Sequence, residues 1–191
     1  MRSTALKAAP AYFRTVAKLL GEIDPAKVLT LIEMVEAAIR NDKKVMLMGN
    51  GGSGANAAHA VADWQKGTQV ATGRPVRTMC FNDNTPLVSA WANDTGYDNI
   101  FTPQVQCWAE PGDTVIGISG SGNSPNVLNA IRSAKGLGIA TFGLTGFKGG
   151  ELAPITDECI IVASNNMQAI EDVHMSILHA CFLELVARCK K

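Results

Sequence analysis

Apolar positions along the chain recur in two rhythms, and the order of those rhythms predicts the architecture. Over residues 5–20 the pattern is that of an amphipathic helix, with Phe13, Val16, Leu19 and Leu20 sharing a face and Pro10 marking a start or a kink. Asp24-Pro25 reads as an N-cap followed by proline at the first helical position, opening a helix in which Val28, Leu29, Ile32, Val35 and Ile39 recur at three and four. Short apolar runs of strand length then appear at 45–48, 76–81, 114–118, 140–144 and 159–162. Helical patterns separate them: 55–64, a stretch capped by Thr85-Pro86 and ending near 93–96, 99–108, and a run after Pro125 carrying Val127, Leu128 and Ile131. Residues 67–75 read as a turn-rich connection, and 167–188 as a long final helix. Strands buried on both faces and alternating with helices predict an α/β fold, an open parallel sheet wrapped by helices.

Such a sheet collects ligands beyond the carboxyl ends of its strands, where strand order reverses. Two polar glycine loops lie there. Gly49-Asn50-Gly51-Gly52-Ser53 follows the first strand and opens a helix, and Ser119-Gly120-Ser121-Gly122-Asn123-Ser124 follows the strand at 114–118. Backbone N–H groups and a helix N-terminus form an anion site in the first, and three hydroxyls alternate with small residues in the second. The same stretches also satisfy a plain reading, a tight turn for the first and a serine N-cap for the second. No GKS or GKT follows the first strand, and its glycines lack the GxGxxG spacing, so neither a P-loop nor a dinucleotide fingerprint fits.

Composition narrows the classes further. The 191 residues suit one domain with a substantial core, and 17 basic against 17 acidic side chains give no charge excess that would require nucleic acid or an anionic membrane. Cys80, Cys107, Cys159, Cys181 and Cys189 form no CxxC pair and suit reduced thiols. No apolar run approaches the ~20 residues of a membrane span and no signal-peptide h-region follows Arg2 and Lys7, so a cytoplasmic location is expected.

GNGGS after the first strand, SxSGNS after a later one, and Thr145-Gly146 with Gly149-Gly150 resemble the sugar isomerase (SIS) domain, and the leading helices resemble its phosphoheptose isomerase branch. That resemblance implies a three-layer sandwich with a five-stranded parallel flavodoxin-like sheet and two extra N-terminal helices: 1–42 as extension, 43–191 as sheet core and final helix. It further implies a homotetramer with active sites at subunit boundaries. Asn50, Gly51, Gly52, Ser53, Ser119, Gly120, Ser121 and Ser124 would line a sugar-phosphate site, and Asn93-Asp94 would hold the sugar. The implied activity is aldose–ketose isomerisation, most simply of sedoheptulose 7-phosphate to D-glycero-D-manno-heptose 7-phosphate. The alternative is a non-catalytic SIS protein that binds the replication initiator or senses sugar phosphates.

An aldose–ketose isomerase needs a base at carbon and an acid at oxygen. His59 and Asp63 stand four apart on one helical face, where the family has His-x-x-x-Glu with the glutamate as base. On the final helix the family has Gln and then His eight residues later, and this chain has Glu171 and His179. By this resemblance Asp63, Glu171 and His179 form the catalytic set, and His59, Asp63, Glu171 and His179 the ligands of a zinc ion. His174 is rotated away from them and reads as a packing or interface histidine. Asp63 is one methylene shorter than the family's Glu, Glu171 adds a charge, Gln168 and Ala169 replace an Asp-Arg pair, and Gly120 replaces a common Thr. Two readings stay open: the base has moved from Asp63 to Glu171, or Asp63 remains a ligand, the extra charge holds the metal tightly, and the substrate is not the usual heptose.

Overall fold

A computed structural model describes residues 8–189. Five strands form one sheet, all parallel, in the order β2-β1-β3-β4-β5: β1 (Lys44–Gly49), β2 (Arg77–Cys80), β3 (Thr114–Ser119), β4 (Ala140–Gly146) and β5 (Glu158–Val162). Because successive side chains of a strand face opposite ways, Val45 and Leu47 enter one core while Met46 and Met48 enter the other. The first core is covered by α1 (Ala9–Gly21), α2 (Pro25–Arg40), α3 (Gly51–Ala62) and α9 (Met167–Cys189). The second is covered by α5 (Thr85–Thr95), α6 (Thr102–Trp108), α7 (Pro125–Gly136) and the short α8 (Leu152–Ile155). The strand order reverses between β1 and β3, so the two glycine loops meet at the sheet's switch point.

Local signals account for most boundaries. The Asp24 carboxylate accepts the Ala26 N–H at 2.9 Å and starts α2, as its Asp-Pro sequence predicts. Asp113 is fully buried at the head of β3, where it accepts the Lys44 and Glu110 N–H groups and pairs with Lys44 Nζ, aligning the first residues of β1 and β3.

The structure departs from the sequence reading at four places. The expected turn at 67–75 is helix as far as Thr72: α3 runs into a π-helical turn, Asp63–Gly67, and then α4 (Thr68–Thr72). Gly67 is there for packing, because a Cβ would strike the Phe182 ring, and only Gly73, with φ +74°, ends the helix. The expected helix at 99–108 is a 3-10 turn, Tyr97–Asn99, followed by α6. The second strand is shorter than 76–81, since the Val76 N–H goes to the Thr68 hydroxyl rather than to a strand. The helix α8 carried no periodic signal. Residues 5–7 of the expected first helix lie outside the described region, as does the Cys189 side chain. Cys80, Cys107, Cys159 and Cys181 are free thiols, and among the described residues no helix is long and apolar enough to cross a membrane.

Candidate active site

The first loop is tight for a reason that lies in its backbone. A Cβ on Gly49 would sit 2.7 Å from the Ser53 carbonyl carbon, and Gly51 takes φ +51°, so the chain can turn from β1 straight into α3. The Asn82 amide clamps that turn, donating to Gly49 O at 2.7 Å and accepting from Gly49 N at 3.3 Å. The second loop turns at Gly122, φ +70°, where a Cβ would run into the Gly149 carbonyl. Gly122 O accepts from Leu152 N and Gly120 O from Gly146 N, both at 2.9 Å, which fixes the serine loop to the segment after β4.

Two side-chain amides join the loops. Asn50 and the fully buried Asn126 exchange a pair of hydrogen bonds of 2.9 and 2.8 Å, and the Tyr97 hydroxyl donates to Asn50 Oδ1 at 3.0 Å. The result is one pocket of about 250 Å³ lined by Asn50, Gly51, Gly52, Ser53, Ser119, Gly120, Ser121 and Ser124, together with Met167 and Glu171 from α9. Ser119 and Ser124 hydroxyls stand 3.0 Å apart. Every expected cradle residue is therefore in the wall, and no lysine or arginine is. Met167 was not expected; its sulfur fills the space where a side chain on Gly120 would begin, so a larger residue there would have to displace it.

Below the cradle, α3 and α9 run side by side and bring three ligating groups together. His59 Nε2 is 3.1 Å from His179 Nε2, and Asp63 Oδ2 is 3.4 Å from each. The buried Trp64, whose indole donates to Leu178 O at 3.2 Å, and Asn56, whose amide donates to Glu171 O at 2.8 Å, pin the two helices in that register. Asp63 opens the π-helical turn, a feature that recurs at functional sites. The donor set fits zinc: bonds of 2.0–2.1 Å to a tetrahedral ion put neighbouring ligand atoms about 3.3 Å apart, close to all three separations seen.

The Glu171 carboxylate lies apart from this cluster, which gathers three of the four expected ligands, His59, Asp63 and His179. That carboxylate points toward the amino end of α9, as helical side chains do, and lies over Gly52 in the cradle. Asn93 and Asp94 sit exposed at the end of α5, bonded to each other at 2.8 Å and outside the pocket wall. His174 is a packing histidine. It is completely buried, its Nε2–H donates to Thr145 O at 3.0 Å, its Nδ1 has no partner among the described residues, and burial lowers its pKa from 6.5 to about 4. Asn82, Tyr97 and Asn126 were missed, since an amide or a phenol carries no sequence signal of its partner.

A family model described as SIS domain matches residues 11–146. The chain is 36% identical over 168 residues to a protein from Thermoplasma acidophilum named probable phosphoheptose isomerase, covering 88% of this chain and 92% of that one. It is 39% identical over 160 residues to the phosphoheptose isomerase of Rhodospirillum rubrum, covering 84% of each. Among solved structures, a phosphoheptose isomerase from Francisella tularensis superposes with a TM-score of 0.89 at 25% identity, over 96% of this chain and 98% of that one.

Proposed function

The chain belongs to the SIS domain family, and from that membership we propose that it is a phosphosugar aldose–ketose isomerase, converting sedoheptulose 7-phosphate to D-glycero-D-manno-heptose 7-phosphate. The observation that carries this reading is the single pocket that unites both glycine loops above the His59, Asp63 and His179 cluster. The phosphate is held by loop N–H groups and by the hydroxyls of Ser53, Ser119, Ser121 and Ser124, donors that need no cationic side chain. Gly52 and His59 are seven residues apart, about 10 Å of helix, a separation that the carbon chain of a ketose 7-phosphate can span.

At the far end Asp63 and His179 divide the proton transfers. The Asp63 carboxylate takes the proton from the carbon next to the carbonyl while His179 gives one to the carbonyl oxygen. The Asp63 proton then goes to the former carbonyl carbon, whose oxygen stays a hydroxyl, and the hydroxyl on the deprotonated carbon gives its proton to His179 as the aldehyde forms. His59, Asp63 and His179 could instead hold a zinc ion, which would supply Lewis-acid polarisation of the sugar oxygens in place of the His179 proton. Heptose biosynthesis in the cytoplasm and assembly as a homotetramer belong to the same proposal.

Incubation with sedoheptulose 7-phosphate, with and without zinc, tests it by product formation. Asp63→Asn is expected to lower kcat about a hundredfold or more. The reverse ranking, with Glu171→Gln costing more than Asp63→Asn, moves the base to the other helix. No turnover in either condition, with no thermal stabilisation by the sugar phosphate, sinks the isomerase reading.

A further inference from the structure

We infer that Asn126 and Tyr97 are positioning residues for phosphate binding: they hold the Asn50 side chain off the start of α3, so that the N–H groups of Gly52 and Ser53, which Asn50 would otherwise cap, stay open to the ligand. The inference rests on the cradle being a phosphosugar site. It concerns what keeps that site receptive.

Asn50 is the N-cap residue of α3 and has the extended backbone of one, φ −109° and ψ 150°. Its side chain makes no capping bond. The first backbone hydrogen bond of the helix runs from Gly54 N to Asn50 O at 3.2 Å, and the N–H groups of Gly51, Gly52 and Ser53 have no partner among the described residues. The Glu171 carboxylate, over Gly52, takes none of them. Helices away from the pocket behave differently: Asp24 caps α2 through the Ala26 N–H at 2.9 Å, and Asn84, an asparagine like Asn50, caps α5 through the Leu87 N–H at 3.2 Å. Ser124, the N-cap residue of α7 at the other wall of the pocket, is also turned away from its helix, toward the Ser119 hydroxyl at 3.0 Å.

Three hydrogen bonds divert Asn50, and their directions follow from one another. A reciprocal pair of side-chain amides is satisfied equally well with both flipped, so the Asn50–Asn126 pair does not set its own direction. The Val127 N–H, which can only donate, bonds Asn126 Oδ1 at 2.9 Å and fixes Asn126. Asn126 Oδ1 then receives Asn50 Nδ2 at 2.9 Å, Asn126 Nδ2 donates to Asn50 Oδ1 at 2.8 Å, and the Tyr97 hydroxyl, facing an oxygen that can only accept, donates to the same Oδ1 at 3.0 Å. The oxygen that would cap Ser53 is held by two donors. Tyr97 is firmly presented, because the turn it opens is anchored by Ile100 and Phe101 in the second core and by Asn129, whose amide donates to Asp98 O at 3.1 Å. Asn126 also occupies the Val127 N–H, the group that Ser124 would cap, so removal of the Asn126 side chain should return both helices to their ordinary caps.

Isothermal titration of the full chain with inorganic phosphate, together with amide hydrogen exchange at Gly52 and Ser53, tests this. Asn126→Ala should weaken phosphate binding about fivefold, the competition that a typical N-cap offers. It should also slow exchange at Gly52 or Ser53 in the ligand-free protein, where a merely structural loss would speed it. In an Asn50→Gly background, which has no side chain to cap with, Asn126→Ala should change the phosphate Kd by less than about twofold. Circular dichroism checks folding. If Asn126→Ala does not fold, Tyr97→Phe decides: it removes one donor at an exposed residue and should move both readouts in the same directions by a smaller factor. Unchanged or faster exchange in the variants, a phosphate Kd within about twofold of wild type in Asn126→Ala, or an equal loss in the Asn50→Gly background overturns the inference. Wild-type protein that binds no phosphate would remove the phosphate reading of the cradle and this inference with it, whereas wild-type binding that both variants retain would remove this inference alone.

Discussion

At the scale of single residues, the cradle depends on positions where a side chain has no place. Gly122 combines a left-handed backbone with the Gly149 carbonyl in the space a Cβ would need. Gly122→Ala must bear about 1–2 kcal/mol of conformational cost and also push two loops apart, so a loss of about 2–4 kcal/mol in denaturant unfolding is expected, with weaker phosphate binding. His174 tests the interior in a different way. Its folded pKa of about 4 lies below the unfolded value of 6.5, so above pH 6.5 both states are neutral and the group has no effect. As pH falls from 6.5 to 4 the unfolded chain gains a proton that the native one does not. Stability should fall by about 1.4 kcal/mol per pH unit, to a total of about 3 kcal/mol. Chemical denaturation across that range should show this slope in the wild type and lose it in His174→Gln; an unchanged slope in the variant would assign it to other groups.

Among the elements, what was legible in the sequence is what the chain decides locally. The Asp24 cap, the apolar strands and the two glycine loops follow from rules that operate within a few residues, and the i, i+4 spacing of His59 and Asp63 puts them on one face without knowledge of the fold. What failed depends on distant partners. Gly67 looks like a turn, but the residue that demands a glycine there is Phe182, on another helix. The Asn50–Asn126 pair that joins the loops carries no periodicity, and the direction in which Glu171 points is a rotamer, settled by the empty space over Gly52. The position of His179 opposite His59 came from the family resemblance rather than from spacing. Gly67→Ala separates local from tertiary effects: helix propensity alone would stabilise by about 1 kcal/mol, whereas the clash with the Phe182 ring should destabilise by about 1–3 kcal/mol. Thermal unfolding decides the sign, and Phe182→Ala in the same chain should relieve the clash so that the two changes are not additive.

For the whole molecule, the layer that bears the His59 and His179 pair also leaves apolar surface uncovered. Their side chains are about half exposed, and one turn beyond His179 on α9 stands Leu183, 64% exposed. Phe13 on α1 and Val70 on α4 are exposed on neighbouring helices of that layer, and an apolar groove of about 450 Å³ runs between α1, α2 and α9 past Leu20, Val28 and Leu29. Exposed leucine and phenylalanine beside a polar cluster suit a surface that another copy covers, and Asn93 and Asp94, outside the pocket of their own chain, are free to serve a neighbouring one. The proposed tetramer, with sites shared between chains, would make activity depend on assembly. Light scattering should therefore give a mass near four times that of the 20.2 kDa chain. Leu183→Glu, a surface change that leaves the protomer's core intact, should lower that mass and reduce turnover of sedoheptulose 7-phosphate together while the circular dichroism spectrum is unchanged. Full activity in a dissociated Leu183→Glu protein would show that each chain holds a complete site, and an undissociated one would put the contact elsewhere on the layer.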